Sequence, residues 1–183
     1  TVSKPYFYPS ADLAWQFTKK MHSKFLSFGK LRASWGKVGT EPDIYKTETL
    51  AVTTNSSFGG SYAVSSNQGN KNLKPEVKTE WEIGSDLRLW DNKLDLKLTY
   101  YQNKIHNLLY NVEKNESSGF STIYANAGTM QNKGFELEMN YHIMSTKDFH
   151  WNANLSFNKN KNKVLSLMGT GIVSLGGSSI AME

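Results

Sequence analysis

The chain has 183 residues, with 21 Lys and Arg against 16 Asp and Glu, for a net charge of +5. Only 38% of it is hydrophobic, yet 13% is aromatic, a content that disordered chains lack. Four prolines and no cysteine exclude collagen-like repeats, disulfide-stapled scaffolds, Cys-based zinc sites and thiol chemistry. No charge-free run reaches the ~20 apolar residues of a transmembrane helix. The basic charge is diffuse, and its densest stretch, Lys159-Asn-Lys161-Asn-Lys163, reads as a solvated strand end rather than a nucleic-acid patch.

Helical periodicity is nearly absent, and period-two alternation dominates. Residues 7–17 place Phe7, Ala11, Leu13, Trp15 and Phe17 on one face and Tyr8, Asp12, Gln16 and Thr18 on the other. Residues 31–35 set Leu31, Ala33 and Trp35 against Arg32 and Ser34. Residues 80–89 set Trp81, Ile83, Leu87 and Leu89 against Glu80, Glu82, Asp86 and Arg88. Residues 94–101 set Leu94, Leu96, Leu98 and Tyr100 against Asp95, Lys97, Thr99 and Tyr101. Residues 135–143 set Phe135, Leu137, Met139, Tyr141 and Ile143 against Glu136, Glu138, Asn140 and His142. Residues 149–157 set Phe149, Trp151, Leu155 and Phe157 against His150, Asn152, Asn154 and Ser156.

These six segments predict six antiparallel strands whose connections alternate short and long. Asp91-Asn92 suits a two-residue hairpin turn, because both residues tolerate positive φ. The register it dictates pairs Leu89 with Leu94, Asp86 with Lys97 and Arg88 with Asp95. A second tight turn at Met144–Asp148 pairs Ile143 with Phe149, Tyr141 with Trp151 and His142 with His150. A third short, polar connection spans Lys19–Ser27. The long connections are 37–76, where Tyr45–Val52 suggests a further short strand, 111–120, and the Gly/Ser-rich stretch 168–183.

Alternation alone fits any sheet with one wet face, including a soluble carbohydrate-binding β-sandwich. Three features favour a membrane barrel. Residues 77–90 and 93–109 run past the ~5–6 residues of an ordinary strand and reach the ~9–11 that a tilted strand needs to cross a bilayer. The aromatics form two girdles, with Trp15, Phe17, Trp90, Phe149 and Trp151 toward the short turns and Trp35 and Trp81 toward the long loops. The opposite face carries Glu80, Glu82, Asp86, Arg88, Asp95, Lys97, Glu136 and Glu138, charges suited to a lumen.

Glu80/Glu82 and Glu136/Glu138 stand roughly 6.5–7 Å apart along a strand, which overlaps the spacing of glycosidase carboxylates. Lumenal charge is the simpler account, and a β-rich glycoside hydrolase is the competing one. Two histidines, His142 and His150, fall short of a metal ligand set. The long loops hold Tyr45, Phe58, Tyr62, Tyr110, Phe120 and Tyr124 among Ser, Asn and Gly, a combination suited to stacking on and hydrogen-bonding a sugar.

Several segments carry a family resemblance. Leu31-Arg-Ala-Ser-Trp-Gly36, Asn72-Leu-Lys-Pro-Glu76 with Thr79 and Glu82-Ile-Gly-Ser-Asp-Leu87, and Asp91-Asn-Lys-Leu94 with Thr99-Tyr-Tyr101 follow one another in order. Asn126-Ala-Gly-Thr-Met-Gln-Asn-Lys-Gly-Phe-Glu-Leu-Glu138, Asp148-Phe-His-Trp151 and Asn160-Lys-Asn-Lys-Val-Leu165 continue the set. Together they resemble the SusC/RagA type of TonB-dependent outer-membrane transporter over about residues 6–167. The resemblance implies an all-β fold: a transmembrane β-barrel segment with short periplasmic turns, and with 37–76, 111–120 and 168–183 as extracellular loops. It implies import of oligosaccharides or peptides across the bacterial outer membrane, with no catalysis, cofactor or metal. Its implied partners are a SusD-like surface lipoprotein, the TonB complex, outer-membrane lipid and a glycan or peptide substrate, but no nucleic acid. The family's signal peptide, plug and terminal strand have no counterpart here, and six strands fall far short of the ~22 of such barrels. The expectation is therefore a piece, 1–183, of a longer chain.

Overall fold

The computed structural model describes residues 5–20, 23, 25–55, 60–168, 172–175 and 178–181. Its elements are β1 (Ser10–Gln16), β2 (Leu26–Thr40), β3 (Ala51–Asn55), β4 (Ser61–Val64), β5 (Asn67–Gln68), β6 (Glu76–Leu89), β7 (Leu94–Glu113), β8 (Thr122–Ser145), β9 (His150–Leu167), β10 (Ile172–Leu175) and β11 (Ser178–Ala181). Short 3-10 turns occupy Phe17–Lys20 and Glu116–Ser118, and no α-helix occurs among the described residues. The fold is all-β.

The main sheet runs in the order β1-β2-β6-β7-β8-β9, a meander of neighbours interrupted only by the excursion through β3, β4 and β5. β5 adds a two-residue parallel bridge to the start of β8, pairing Asn67 with Thr122 and Gln68 with Ile123. β3 with β4, and β10 with β11, form separate antiparallel hairpins. The six alternating segments are all strands, and five are longer than the alternation predicts: β2, β6, β7, β8 and β9 have 15, 14, 20, 24 and 18 residues. The further strand expected at Tyr45–Val52 is instead a turn over 44–47, and the strand starts only at Ala51.

The chain divides into two compact units. The first comprises Thr1–Val38, Thr79–Lys104 and Gln131–Asn162 and contains the three short connections. The second comprises Gly39–Lys78, Ile105–Met130 and Lys163–Glu183 and contains the three long ones.

In the first unit, the β1–β2 register pairs Ala11 with Trp35, Leu13 with Ala33 and Trp15 with Leu31 on one face. It pairs Asp12 with Ser34 and Gln16 with Lys30 on the other. Strand β1 ends at Gln16, one residue before the expected Phe17. The Thr18 hydroxyl takes over the backbone pairing: it accepts from the Gly29 N–H at 2.8 Å and donates to the Gly29 carbonyl at 3.3 Å. The tip of the Phe17 ring lies against Gly29, where a Cβ would collide with its Cζ.

The turn after β6 has the backbone of a type I′ hairpin. Asp91 and Asn92 have φ of 53° and 63°, and the Lys93 N–H donates to the Trp90 carbonyl at 3.1 Å. Trp90 is also left-handed, at φ 52°. Its N–H donates to the Phe25 carbonyl, and its ring meets Phe25 edge-on at 6.2 Å.

The turn after β8 differs from the expected register. The Thr146 N–H donates to the Phe149 carbonyl, which centres the turn on Lys147-Asp148. The Thr146 hydroxyl bonds the backbone of Phe149 as well, and this local capping tightens the turn. His142 and His150 therefore do not meet. His142 Nδ1 pairs with Asn152 Oδ1, and His150 Nδ1 pairs with Ser145 Oγ, each at 2.9 Å.

Burial decides between barrel wall and sandwich. Among the described residues the buried hydrophobic side chains are Leu94 and Ala127. The apolar face stays open, with Leu13 70%, Trp15 61%, Phe157 51% and Leu155 50% exposed. A sandwich would have packed these side chains between sheets. Leaving one such side chain in water forgoes about 1.5–3 kcal/mol, so the face needs a non-aqueous neighbour. No helix among the described residues is long and apolar enough to cross a membrane, and a strand-built wall needs none.

The Phe17–Gly29 contact gives a first prediction. Gly29→Ala in the full-length protein should push the tip of the half-exposed Phe17 ring aside and cost about 1 kcal/mol or less, at the low end of overpacking, measured by urea unfolding in lipid vesicles. In a Phe17→Ala background the same substitution should cost much less, because the collision is gone.

Candidate functional site

In the first unit, the polar positions of five strands meet on one face. Lys30 Nζ lies 2.9 Å from Asp86 Oδ2. Arg32 reaches Glu82 Oε1 at 3.0 Å, Asp86 Oδ1 at 3.3 Å and the Thr99 hydroxyl at 3.1 Å. Arg88 Nε pairs with Asp95 Oδ1 at 3.3 Å, Asp95 faces His142 Nε2 at 3.6 Å, and Lys97 Nζ pairs with Glu138 Oε2 at 3.2 Å. The result is a ladder of alternating charge from β2 to β8, extended onto β9 by the His142–Asn152 bond.

Six of the eight charges singled out in the sequence, Glu82, Asp86, Arg88, Asp95, Lys97 and Glu138, are joined in this ladder. Glu136 lines a 280 Å³ cleft with Arg32, Glu82, Lys97, Thr99 and Glu138. Glu80 precedes Glu82 by two residues on β6. The Trp90–Lys93 bond closes the hairpin in the expected register, but Asp86 and Lys97 form their ion pairs elsewhere: Asp86 turns to Lys30 and Arg32 on β2, and Lys97 to Glu138 on β8. Every inner strand has two neighbours, and hairpin register considers only one. Lys30 carries no signal in the sequence because Gly29 and Phe28 interrupt the apolar rhythm of β2, and Phe28 itself lies under the Arg88 guanidinium at 5.2 Å. Glu82 and Glu138 each engage a cation, an arrangement that does not leave a free acid–base couple. Among the described residues no group of three or more His, Asp or Glu side chains is placed to hold a metal.

The girdle residues fall into two groups. Trp15, Trp35, Trp90, Phe149 and Trp151 are exposed. Phe17 is half-buried against Gly29 and packs on Trp15 at 6.0 Å, and Trp81 is half-buried against Tyr100 at 5.4 Å.

In the second unit, Tyr45 and Tyr124 line one cleft together with Lys46, Glu48, Leu50, Ser65, Asn67, Gln68 and Asn111. Its volume of about 90 Å³ is well short of the ~300 Å³ at which ligand pockets begin. The Lys46 ammonium sits 5.3 Å over the Tyr124 ring, and Lys114 sits 6.0 Å over Phe120, so each ring has a cation on one face. The Tyr110 hydroxyl lies 2.9 Å from the Ala127 carbonyl and 3.0 Å from that of Met168. Tyr45 and Tyr62 have open rings, 66% and 79% exposed. Phe58 lies outside the described residues.

Residues 2–178 match the family described as TonB dependent receptor-like, beta-barrel. The chain belongs to this family. TonB-dependent receptor P3 of Formosa agariphila is 35% identical over 174 residues, 88% of this chain and 17% of that protein. TonB-dependent receptor SusC of Bacteroides thetaiotaomicron is 29% identical over 174 residues, with the same coverage. Among solved structures, the RagAB peptide transporter superposes with a TM-score of 0.82 at 25% identity, over 92% of this chain and 19% of that one. The TonB-dependent receptor family is thus the one the sequence motifs point to, and it is a family of transport receptors rather than enzymes. The chain spans about a sixth of the length of the curated relatives it matches.

Arg32 is the most connected member of the ladder and supplies the second prediction. Arg32→Ala removes three polar contacts and leaves Glu82 without its cation, while Asp86 keeps Lys30. It should cost the full-length receptor about 1–2 kcal/mol, since its side chains are a third exposed and partly screened. Arg32→Lys should recover less than half, because an ammonium cannot span both carboxylates. Urea unfolding in vesicles reads both, and equal stability of Arg32→Ala and wild type would refute the ladder's role.

Proposed function

We propose that this chain forms part of the barrel wall of a SusC-like, TonB-dependent transporter in the bacterial outer membrane. Its substrates are oligosaccharides or peptides too large for passive pores. The observation that carries the reading is the two-faced sheet: an open face of Trp, Phe and Leu backed by a face of ion-paired charge, in a chain of this family. Water-filled or plugged barrels need that division, with lipid outside and polar groups inside.

Trp15, Trp35, Trp90, Phe149 and Trp151 anchor the wall at the headgroup levels. Glu80, Glu82, Asp86, Arg88, Asp95, Lys97, Glu136 and Glu138 line the lumen. Residues 37–76, 111–120 and 168–183 face the outside and meet a SusD-like surface lipoprotein. Energy reaches the barrel through TonB by way of parts of the protein beyond this chain. Tyr45 and Tyr62 contact ligand, since open aromatic rings among amides and hydroxyls suit both sugar faces and peptide side chains.

Uptake of fluorescent oligosaccharides and peptides by cells carrying the full-length protein tests this. Uptake should require an energised inner membrane and intact TonB, and continued uptake without either would overturn the proposal. Tyr45→Ala and Tyr62→Ala should each raise the half-saturating concentration roughly 2- to 10-fold, the range of one lost aromatic contact, while leaving the amount of receptor in the membrane unchanged.

A further inference from the structure

Two of the segments that carry the sequence resemblance, 72–76 and 126–128, meet in the second unit, and one side chain joins them. The Asn126 carboxamide accepts from the Lys74 N–H at 2.7 Å and donates to the Lys74 carbonyl at 2.6 Å. Its second amide hydrogen donates to the Asn107 carbonyl at 3.0 Å. Asn107 is left-handed at φ 58° within β7. The Leu109 N–H two residues on is met by Glu76 Oε2 at 3.2 Å. A short distance back, Asn70 Nδ2 donates to the Tyr124 carbonyl at 3.0 Å, and the Asn70 N–H donates to the Lys46 carbonyl at 2.9 Å.

The arm between β2 and β6, residues 41–75, is also stitched to itself. Gly69 lies so close to the Glu48–Thr49 backbone that a Cβ would collide with the Glu48 carbonyl carbon. The Gly69 N–H donates to the Thr49 hydroxyl, the Ser65 N–H donates to the Leu50 carbonyl, and β3 pairs with β4. The arm is therefore a unit with its own internal bonds, fastened to β7 and β8 at two places: the β5–β8 bridge, with the Ser66 carbonyl accepting from the Ser121 and Thr122 N–H groups, and the carboxamides of Asn70 and Asn126. Polar, partly exposed fastenings are the kind that open locally below the global unfolding free energy.

We propose that Asn126 is the positioning residue of this arm: with Asn70, it latches residues 41–75 to β7 and β8 and so sets where the exposed Tyr45 ring stands. Pro75, buried at the root and fixed in φ, is the point about which the latched arm is held. The latch concerns placement alone, so it stands or falls independently of what the receptor transports.

Hydrogen exchange by mass spectrometry on the full-length protein in bilayers tests it. Asn126→Ala and the isosteric Asn126→Asp, which keeps the acceptor but loses both donors, should each speed exchange of peptides covering 44–50 and 69–76 about tenfold or more. Exchange over 94–104 and 131–143 should stay unchanged. Because Asp fills the same volume, a mere space-filling role would leave Asn126→Asp like wild type. Unchanged exchange of the arm in both variants would overturn the proposal, as would an equal rise throughout the strands. If Asn126→Ala fails to assemble, Asn70→Ala decides: faster exchange confined to the arm supports the latch, and unchanged exchange refutes it.

Discussion

A strand whose side chains alternate between two solvents has no tolerance for a one-residue slip, because such a slip exchanges every side chain between faces. Register is therefore the constraint on which this structure depends. It is visible in β1 and β2, where Leu13 faces Ala33 and Trp15 faces Leu31, while Asp12 faces Ser34. With Leu94 and Ala127 as the buried hydrophobic side chains among the described residues, packing does little to enforce it. Backbone pairing and polar side chains must do so instead.

The ion-pair ladder serves that end. Each pair is partly exposed and contributes about 0.2–1 kcal/mol at most in water. Its value lies in connectivity: Arg32 on β2 holds two carboxylates of β6 and a hydroxyl of β7 at once. A slip between any two of these strands breaks several contacts together and brings like charges opposite one another. The turns act in the same direction. The left-handed residues at Trp90, Asp91 and Asn92 fix one hairpin, and the Thr146 hydroxyl fixes the other.

Much of the sheet is legible in the sequence, because β6 to β9 are two-faced over most of their length and period two reads such faces directly. The failures have local causes. β2 begins at Leu26, five residues earlier than its alternation shows, because Phe28 lies among charges and Gly29 makes room for Phe17. β7 and β8 extend into stretches rich in Asn, Gly and Thr, which resemble loops by composition but are paired and clasped by amides. The ladder's cross-strand partners were half legible: Arg88–Asp95 follows from one turn, whereas Lys30–Asp86 joins residues far apart in sequence. The Asn126 clasp reaches across 52 residues to Lys74, and no periodicity signals it. Its trace in the sequence is that 72–76 and 126–128 both belong to the motifs.

The central claim is that the Leu, Trp and Phe face meets lipid while the charged face meets water. The chain has no cysteine, so within it single cysteines for spin labelling report without background. Nitroxides placed in turn at 94–101 and 135–143 of the full-length protein in bilayers should alternate with period two. Oxygen accessibility should peak at Leu96, Leu98, Leu137 and Tyr141, and water-soluble nickel accessibility at Lys97, Glu136 and Glu138. Loss of that alternation, or oxygen-shielded labels at Leu96 and Leu137, would contradict the account.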